Sequence, residues 1–314
     1  MTSTVKSRKE TSLCVVDDED EIREMIVDHL TDEGYRVFAA DNAKTALEEI
    51  LCKHPVDLIL SDINMPVMKG FELLNKVREA YPATKRVLIT AYNVEDYFDL
   101  ALKYNIGNIF VKTTPFNFQE LAAILENLLS GDIFGVWKYF APNNTTLKSY
   151  FIKQGKQLEA DAQRIVSNLP IIDTTNKIEL VLIELLANAV FYGIRKESAE
   201  KKEEWCYNFE LSDSEAIAVA SMYDSEKFAV SITDNGGRLK KSDVLYWLHR
   251  QLAIDEKGLP LGIFDSHGRG FFIARQYIDR LIINIDKNKR TEIVLINYFT
   301  EVFQGFKPIY INEI

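Results

Sequence analysis

Leu58-Ile59-Leu60-Ser61-Asp62-Ile63-Asn64-Met65-Pro66 joins a short apolar run to a carboxylate and then to a proline-bearing turn. An apolar run this short, without polar alternation, suits a strand buried on both faces. Working outward, comparable runs occupy 13–16, 36–40, 57–61, 86–90 and 109–111. Between them, 20–32, 43–53, 70–80, 94–104 and 116–129 carry apolar residues at helical spacing. Strands alternating with helices predict a doubly wound α/β domain, a parallel five-stranded sheet covered on both faces. Chemistry in such a sheet gathers at the carboxyl ends of its strands. Asp17 and Asp18 follow the first strand and Asp62 the third, while Thr90 closes the fourth and Lys112 the fifth. Carboxylates crowded on one rim repel unless a cation sits among them, and oxygen donors of this kind suit Mg²⁺. An Asp-Asp pair in a loop is by itself usually a solvated turn. The signal is the whole set at matching strand ends.

At 314 residues the chain has room for two domains, and 47% hydrophobic with 27% charged residues describes a globular protein. The formal charge of −10, with no basic run, argues against broad phosphate-backbone binding, so no DNA partner is expected. Cys14, Cys52 and Cys206 form no C-x-x-C pair and indicate neither a metal site nor a disulfide framework. Residues 1–12 are polar, without the apolar core of a signal peptide, and no apolar run reaches transmembrane length. A cytoplasmic location without membrane contact is the expectation.

Residues 131–146 contain Gly131, Gly135 and Pro142-Asn143-Asn144 and read as a linker. Beyond it, helices are predicted at about 147–168 and 175–194, and strands at 205–211, 215–222 and 227–233. A helix at 242–253 with Ser242 as N-cap, another at 270–280, and strands at 281–286 and 291–298 follow. Helices set against a mixed or antiparallel sheet make an α+β domain. Within the apolar helix Ile178–Val190, Glu184 and Asn188 stand four apart and share a face. Burying a neutral polar group without a partner costs roughly 2–7 kcal/mol. The plain alternative is a helix whose polar residues face water. Ile232-Thr233-Asp234-Asn235-Gly236-Gly237 is a strand ending in an acidic turn, and Gly268-Arg269-Gly270 opens a further helix. Glycine there lets backbone N–H groups approach a phosphate, which the helix dipole also favours.

Val15-Val16-Asp17-Asp18-Glu19, Asp62 through Gly70, Thr90-Ala91 and Lys112 resemble the receiver domain of bacterial response regulators, over about residues 10–130. The resemblance implies that Asp62 accepts a phosphoryl group from the phosphohistidine of a separate sensor histidine kinase. Asp18, Asp62 and the backbone carbonyl of Asn64 would bind Mg²⁺ directly and Asp17 through water. Lys112 would pair with the phosphoryl oxygens, and Thr90 would follow the new phosphate as the switch. Two positions depart from the family: Thr113 stands where Pro usually follows the Lys, and Ile109 where Tyr or Phe is usual.

Glu184 with Asn188, then Asp234 with Gly236, then Gly268 with Gly270 resemble the GHKL fold, the ATP-binding sandwich of gyrase, Hsp90, histidine kinases and MutL. The resemblance spans about 150–300 and assigns 147–314 to that domain. It implies that Asn188 holds Mg²⁺ on the phosphates of ATP and that Glu184 polarises the attacking water or hydroxyl. Asp234 would accept from the adenine amino group, and Gly236 would allow a close turn. Gly268 and Gly270 would lie by the phosphates, with 238–267 as lid. His29, His54, His249 and His267 leave 130–180 without a histidine, which removes ordinary autophosphorylation on His. The branch most resembled is that of anti-sigma-factor serine kinases, which bind a sigma factor or phosphorylate Ser on an anti-anti-sigma partner. Here too two positions depart: Arg238 replaces a glycine, and Tyr192 stands where His or a basic residue is common. Two outputs stay open, an ATP-dependent protein serine kinase and a phosphorylation-gated binding module with a degenerate or structural ATP site. Phe299, Phe303, Phe306 and Tyr310 could dock a second copy as a homodimer, or pack on the chain's own core.

Overall fold

The computed structural model describes residues 6–141, 145–171, 175–195, 197, 208–256, 258–262, 265, 268–300 and 302–314. The chain divides into two units, Met1–Ile133 with Phe303–Phe306, and Phe134–Val302 with Lys307–Ile314. In the first, β1 (Ser12–Val16), β2 (Arg36–Ala40), β3 (Leu58–Asp62), β4 (Lys85–Thr90) and β5 (Asn108–Val111) lie in the order β2-β1-β3-β4-β5. Every pairing among them is parallel. β1 and β3 are buried along their whole length, as unbroken apolar runs require, whereas β2 at the edge is partly exposed. The intervening helices are α1 (Asp20–Asp32), α2 (Ala43–Thr45, continuing as the π-helical Ala46–Leu51), α3 (Gly70–Ala80), α4 (Phe98–Tyr104) and α5 (Phe118–Ser130). Local chemistry fixes their ends. Asp20 and Glu21 sit at the positive end of α1. The Asn117 side chain accepts from the Glu120 N–H to cap α5, and Gly131 closes that helix in the left-handed conformation at φ +71°.

The second unit contains β6 (Thr146–Ile152), α6 (Leu158–Val166), α7 (Thr175–Asn188, running into the π-helical Ala189–Ile194), β7 (Ile217–Tyr223) and β8 (Lys227–Asp234). After these come α8 (Lys241–Leu252), α9 (Gly270–Tyr277), β9 (Arg280–Asp286), β10 (Arg290–Tyr298) and β11 (Ile309–Glu313). Its strands run in the order β11-β9-β10-β8-β7-β6, antiparallel except for the parallel β11–β9 pair. α7 packs against α6 and α9 through a face that buries Val181, Leu182, Leu185 and Leu186.

Several expectations need correction. Residues 146–152 are a strand, not the start of a helix; Tyr150, Phe151 and Ile152 favour a pleated surface, and β7 offers an edge to pair with. The expected linker is partly structural, because Phe134, Val136, Tyr139 and Phe140 are buried, with Val136–Tyr139 in a 3-10 turn. Lys240, not Ser242, is the N-cap of α8, and the Ser242 hydroxyl turns to Asp243. β11 was not expected; its brief apolar stretch Ile309-Tyr310-Ile311 is fully buried beside β9. Of the tail aromatics, Tyr310 is core whereas Phe306 is exposed. The strand expected at 205–211 and the lid at 238–267 fall partly outside the described residues. Among the described residues no helix is long and apolar enough to cross a membrane.

Candidate functional site

The parallel order of β1, β3, β4 and β5 brings their carboxyl ends side by side, and with them Asp17, Asp62, Thr90 and Lys112. Asp17 is fully buried and Asp62 nearly so, while Asp18 is exposed. The Lys112 ammonium lies 2.8 Å from Asp62 Oδ1, 2.9 Å from Asp17 Oδ2 and 2.9 Å from Glu19 Oε1. Burial opposes charge on this lysine, but its hydrogen bonds to Asp62 and Asp17 outweigh that and hold its pKa above the ordinary value. Two carboxylates this close in a dry setting are tolerable because one cation lies between them.

The other oxygen of Asp62 accepts from the Asn64 backbone N–H at 2.5 Å, and the Asn64 side-chain amide donates to the Tyr97 hydroxyl at 2.6 Å. Thr90 is buried at the end of β4, where its hydroxyl accepts from the Tyr92 N–H at 3.0 Å. Ile109, in the place of the usual aromatic, is fully buried; the ring of Phe110 meets that of Phe116 at 5.4 Å instead. Thr114 exchanges backbone hydrogen bonds of 2.8 and 2.9 Å with Gln304, within the same unit. Glu19 on Lys112 and Tyr97 on Asn64 are contacts that sequence reasoning missed. Glu19 adjoins the acidic pair, but Tyr97 carries no signal in its neighbours. Among the described residues no three His, Cys, Asp or Glu side chains are already gathered as a metal-binding group. Asp17 and Asp62 share one ammonium, and Asp18 beside them is the open carboxylate.

In the second unit a cavity of about 350 Å³ is lined by Asn188 of α7, Asp234 at the end of β8, and Gly268 and Gly270 before and at the start of α9. Ala189, Tyr192, Gly193, Trp247, Phe271 and Ile293 supply much of the remaining wall. Four of the residues singled out from sequence therefore meet in one place. Glu184 adjoins them, since a Cβ built on Gly270 would lie 2.7 Å from Asn188 Nδ2 and 3.8 Å from Glu184 Oε2. Gly236 packs on the backbone of Gly193 so tightly that an added Cβ would sit 2.0 Å from the Gly193 carbonyl oxygen.

Asp234 is the electrostatic centre of this cavity. Burial pushes its carboxyl up to about 6, partly offset by the N–H groups of Gly236 and Gly237 at 2.9 and 3.3 Å. Thr291 stands directly across the ladder from Asp234 and is itself buried. Its hydroxyl is near enough to favour the charged carboxylate, yet forms no well-directed hydrogen bond among the described residues. Sequence reasoning did not find Thr291, whose only signal is its register with Asp234. It also missed Trp247, whose ring lies against Gly268, where an added Cβ would be 2.1 Å from the ring. Tyr192 is raised to about 12 by burial and by the charge of Glu184, so it is a neutral phenol here. A buried carboxylate with a neighbouring hydroxyl, apolar walls, and a glycine-lined helix start together suit a planar amine joined to an anionic group.

Residues 13–126 match the family described as the response regulator receiver domain. The chain is 29% identical over 224 residues to a probable transcriptional regulator, ycf27, of Cyanidium caldarium, covering 70% of this chain and 84% of that protein. It is 33% identical over 117 residues to the regulatory protein AtoC of Escherichia coli (strain K12), covering 37% of this chain and 25% of AtoC. Against AtoC and against the response regulator protein FleR of Pseudomonas aeruginosa, the chain spans only 25% of the relative's length. Among solved structures, the chemotaxis protein CheY4 of Vibrio cholerae is 32% identical with a TM-score of 0.35, covering 38% of this chain and 98% of that one. The response regulator TrrA of Thermotoga maritima, solved with Mg²⁺ and BeF, is 34% identical over 38% of this chain and 98% of its own, TM-score 0.34. The family match coincides with the sheet whose strand ends carry Asp17, Asp62, Thr90 and Lys112. Residues 13–126 of this chain are a response regulator receiver domain.

Proposed function

We propose that this chain is a two-component regulator in which phosphorylation of Asp62 controls a C-terminal unit that binds ATP. Receiver domains take their phosphoryl group from sensor histidine kinases. In that step an Asp62 carboxylate oxygen attacks the phosphorus of a phosphohistidine, the new O–P bond forms as the N–P bond breaks, and the imidazole leaves. Asp18, Asp62 and the Asn64 carbonyl would hold Mg²⁺, with Asp17 behind them. The donor set fits, being all oxygen and carrying a carboxylate, Asp18, that stays open beside two buried ones. A bound Mg²⁺ supplies charge neutralisation for the attack of one anion on another. Lys112 would turn from the carboxylates to the phosphoryl oxygens, and Thr90 would follow.

For the second unit, the observation that carries the reading is the convergence of Asn188, Asp234, Gly268 and Gly270 on one cavity. Asp234 would accept from the adenine amino group beside the Thr291 hydroxyl, and Asn188 would hold Mg²⁺ on the phosphates. Gly268 and Gly270 would admit the phosphate chain to the start of α9. Glu184, adjacent to Asn188, would polarise a hydroxyl, which is the basis for reading the unit as a protein serine kinase of the anti-sigma type. The test is titration of the full chain with ATP and Mg²⁺. It should bind in the micromolar range or tighter, and Asp234→Asn should weaken that binding by about 10- to 100-fold. A kinase would then transfer the γ-phosphate to Ser on an anti-anti-sigma protein, and absence of transfer with or without phosphorylated Asp62 would remove that activity.

A second reading, a phosphorylation-gated binding module with a degenerate or structural ATP site, is favoured by the neutral Tyr192 beside Glu184 and by the exposed Leu147 and Phe151 on β6. Partner binding indifferent to Glu184→Ala would support it. A transcriptional output, as in the names of the relatives, fits either reading: a chain that captures a sigma-type protein alters transcription without touching DNA. The net charge of −10 agrees with that route. A reducing, cytoplasmic setting accords with such partners.

A further inference from the structure

The cavity in the second unit has an unbalanced wall. Glu197, Asp234 and Asp243 contribute three carboxylates, whereas Arg238 is the one basic residue among the described residues that line it. Arg238 follows the tight Gly236-Gly237 turn, is exposed, and makes no hydrogen bond or ion pair among the described residues. A guanidinium that lines a cavity together with three carboxylates, yet pairs with none of them among the described residues, is a donor fork without an acceptor. Tyr192, on the same wall, is a neutral phenol and supplies no positive charge. The cavity is also built for a ligand on an independent ground. Thr291 is buried, lines it, and keeps a hydroxyl without a hydrogen-bond partner among the described residues.

We infer that Arg238 is the phosphate-binding cation of this cavity, so that it selects nucleotides carrying a polyphosphate chain over the bare nucleoside. The inference deepens the ATP-binding reading and rests on it. Asp234 and Thr291, with the apolar wall of Trp247, Phe271 and Ile293, recognise the base. The start of α9 offers N–H groups and a dipole but no full charge, and three carboxylates nearby work against a polyanion. Arg238 offsets part of that charge, and its planar fork can take two phosphate oxygens at once. The substitution of arginine for glycine in the turn thereby gains a purpose. It brings a cation to a site whose helix side presents tyrosine.

The experiment is calorimetric titration of the full chain with adenosine, ADP and ATP, each with Mg²⁺, for the parent protein, Arg238→Gln and Arg238→Lys. Arg238→Gln should weaken ADP and ATP by about tenfold or more while adenosine stays within about twofold, and Arg238→Lys should recover part of the loss. Equal weakening of adenosine and ATP would mean a structural role, and unchanged ATP affinity would mean no role; either overturns the inference. Adenosine and ATP both failing to bind the parent protein would instead overturn the ATP-binding reading and, with it, this one. Thermal melting of each variant, expected unchanged because Arg238 is exposed and unpaired, separates these results from misfolding.

Discussion

At the end of β3, Asp62 shares the Lys112 ammonium with Asp17, whereas at the end of β8, Asp234 is buried against the N–H groups of Gly236 and Gly237 with its pKa pushed up to about 6. Both are aspartates closing central strands, but their surroundings equip them differently. A carboxylate beside a lysine is held by a full positive charge, and in the proposed reading a phosphoryl group would give that lysine a further anionic partner. A carboxylate surrounded by low dielectric keeps a weak hold on its charge and gains most from a neutral donor such as an amino group. Position at a strand end makes a residue available. What lies within hydrogen-bond reach decides what it is available for.

The largest effect that would break this contrast is at Asp62. Asp62→Asn should abolish stable phosphorylation, read as loss of label from a phosphohistidine donor, while nucleotide titration stays unchanged. Label retained at parental level would move the acceptor elsewhere. Next, Asp234→Asn should weaken ATP by about 10- to 100-fold, because an amide presents a donor where the base amino group needs an acceptor, a cost of about 1–3 kcal/mol. Phosphorylation of Asp62 should be untouched.

A pH titration sharpens the same point with a smaller effect. ATP affinity should fall by about tenfold between pH 7 and pH 5, as Asp234 takes up a proton below about 6. Stability moves in the opposite sense. The folded carboxyl has a higher pKa than the unfolded value of 3.8, so its protonated form favours folding at low pH, and that contribution is lost as pH rises through about 6. An affinity that is flat across this range, or that falls on raising the pH, would contradict the assignment. Least of all should Glu19→Gln matter. Glu19 meets Lys112 with a largely exposed side chain, so thermal stability should change by less than about 1 kcal/mol and phosphorylation by no more than a few-fold. A larger loss would make Glu19 part of the acceptor site itself.

The first unit was legible because parallel strands are buried on both faces, so each reads as an apolar run and its candidate site residue stands out where polarity returns. β1 and β3, buried throughout, show this best. The second unit hid more because its information lies in register. Thr291 acquires meaning only once β10 is laid antiparallel to β8 and faces it with Asp234. Trp247 likewise becomes part of the cavity only because Gly268 leaves its ring room. β6 was misread and β11 missed because each takes its identity from the neighbouring strand, an influence that local periodicity does not contain. The Tyr97–Asn64 hydrogen bond belongs to the same class, a contact made by folding between residues with no pattern in common.

The return of Phe303–Phe306 to the first unit has a practical consequence for anyone taking this chain apart. No single cleavage yields both units whole. A fragment ending near residue 133 leaves Thr114 without Gln304, and one beginning near residue 134 carries that four-residue visitor with its host removed. The two halves are interleaved along the chain instead of placed end to end. A faithful dissection would therefore express them as two pieces in the same cell, or reconnect the ends by permuting the sequence, and ask whether the visitor finds its place.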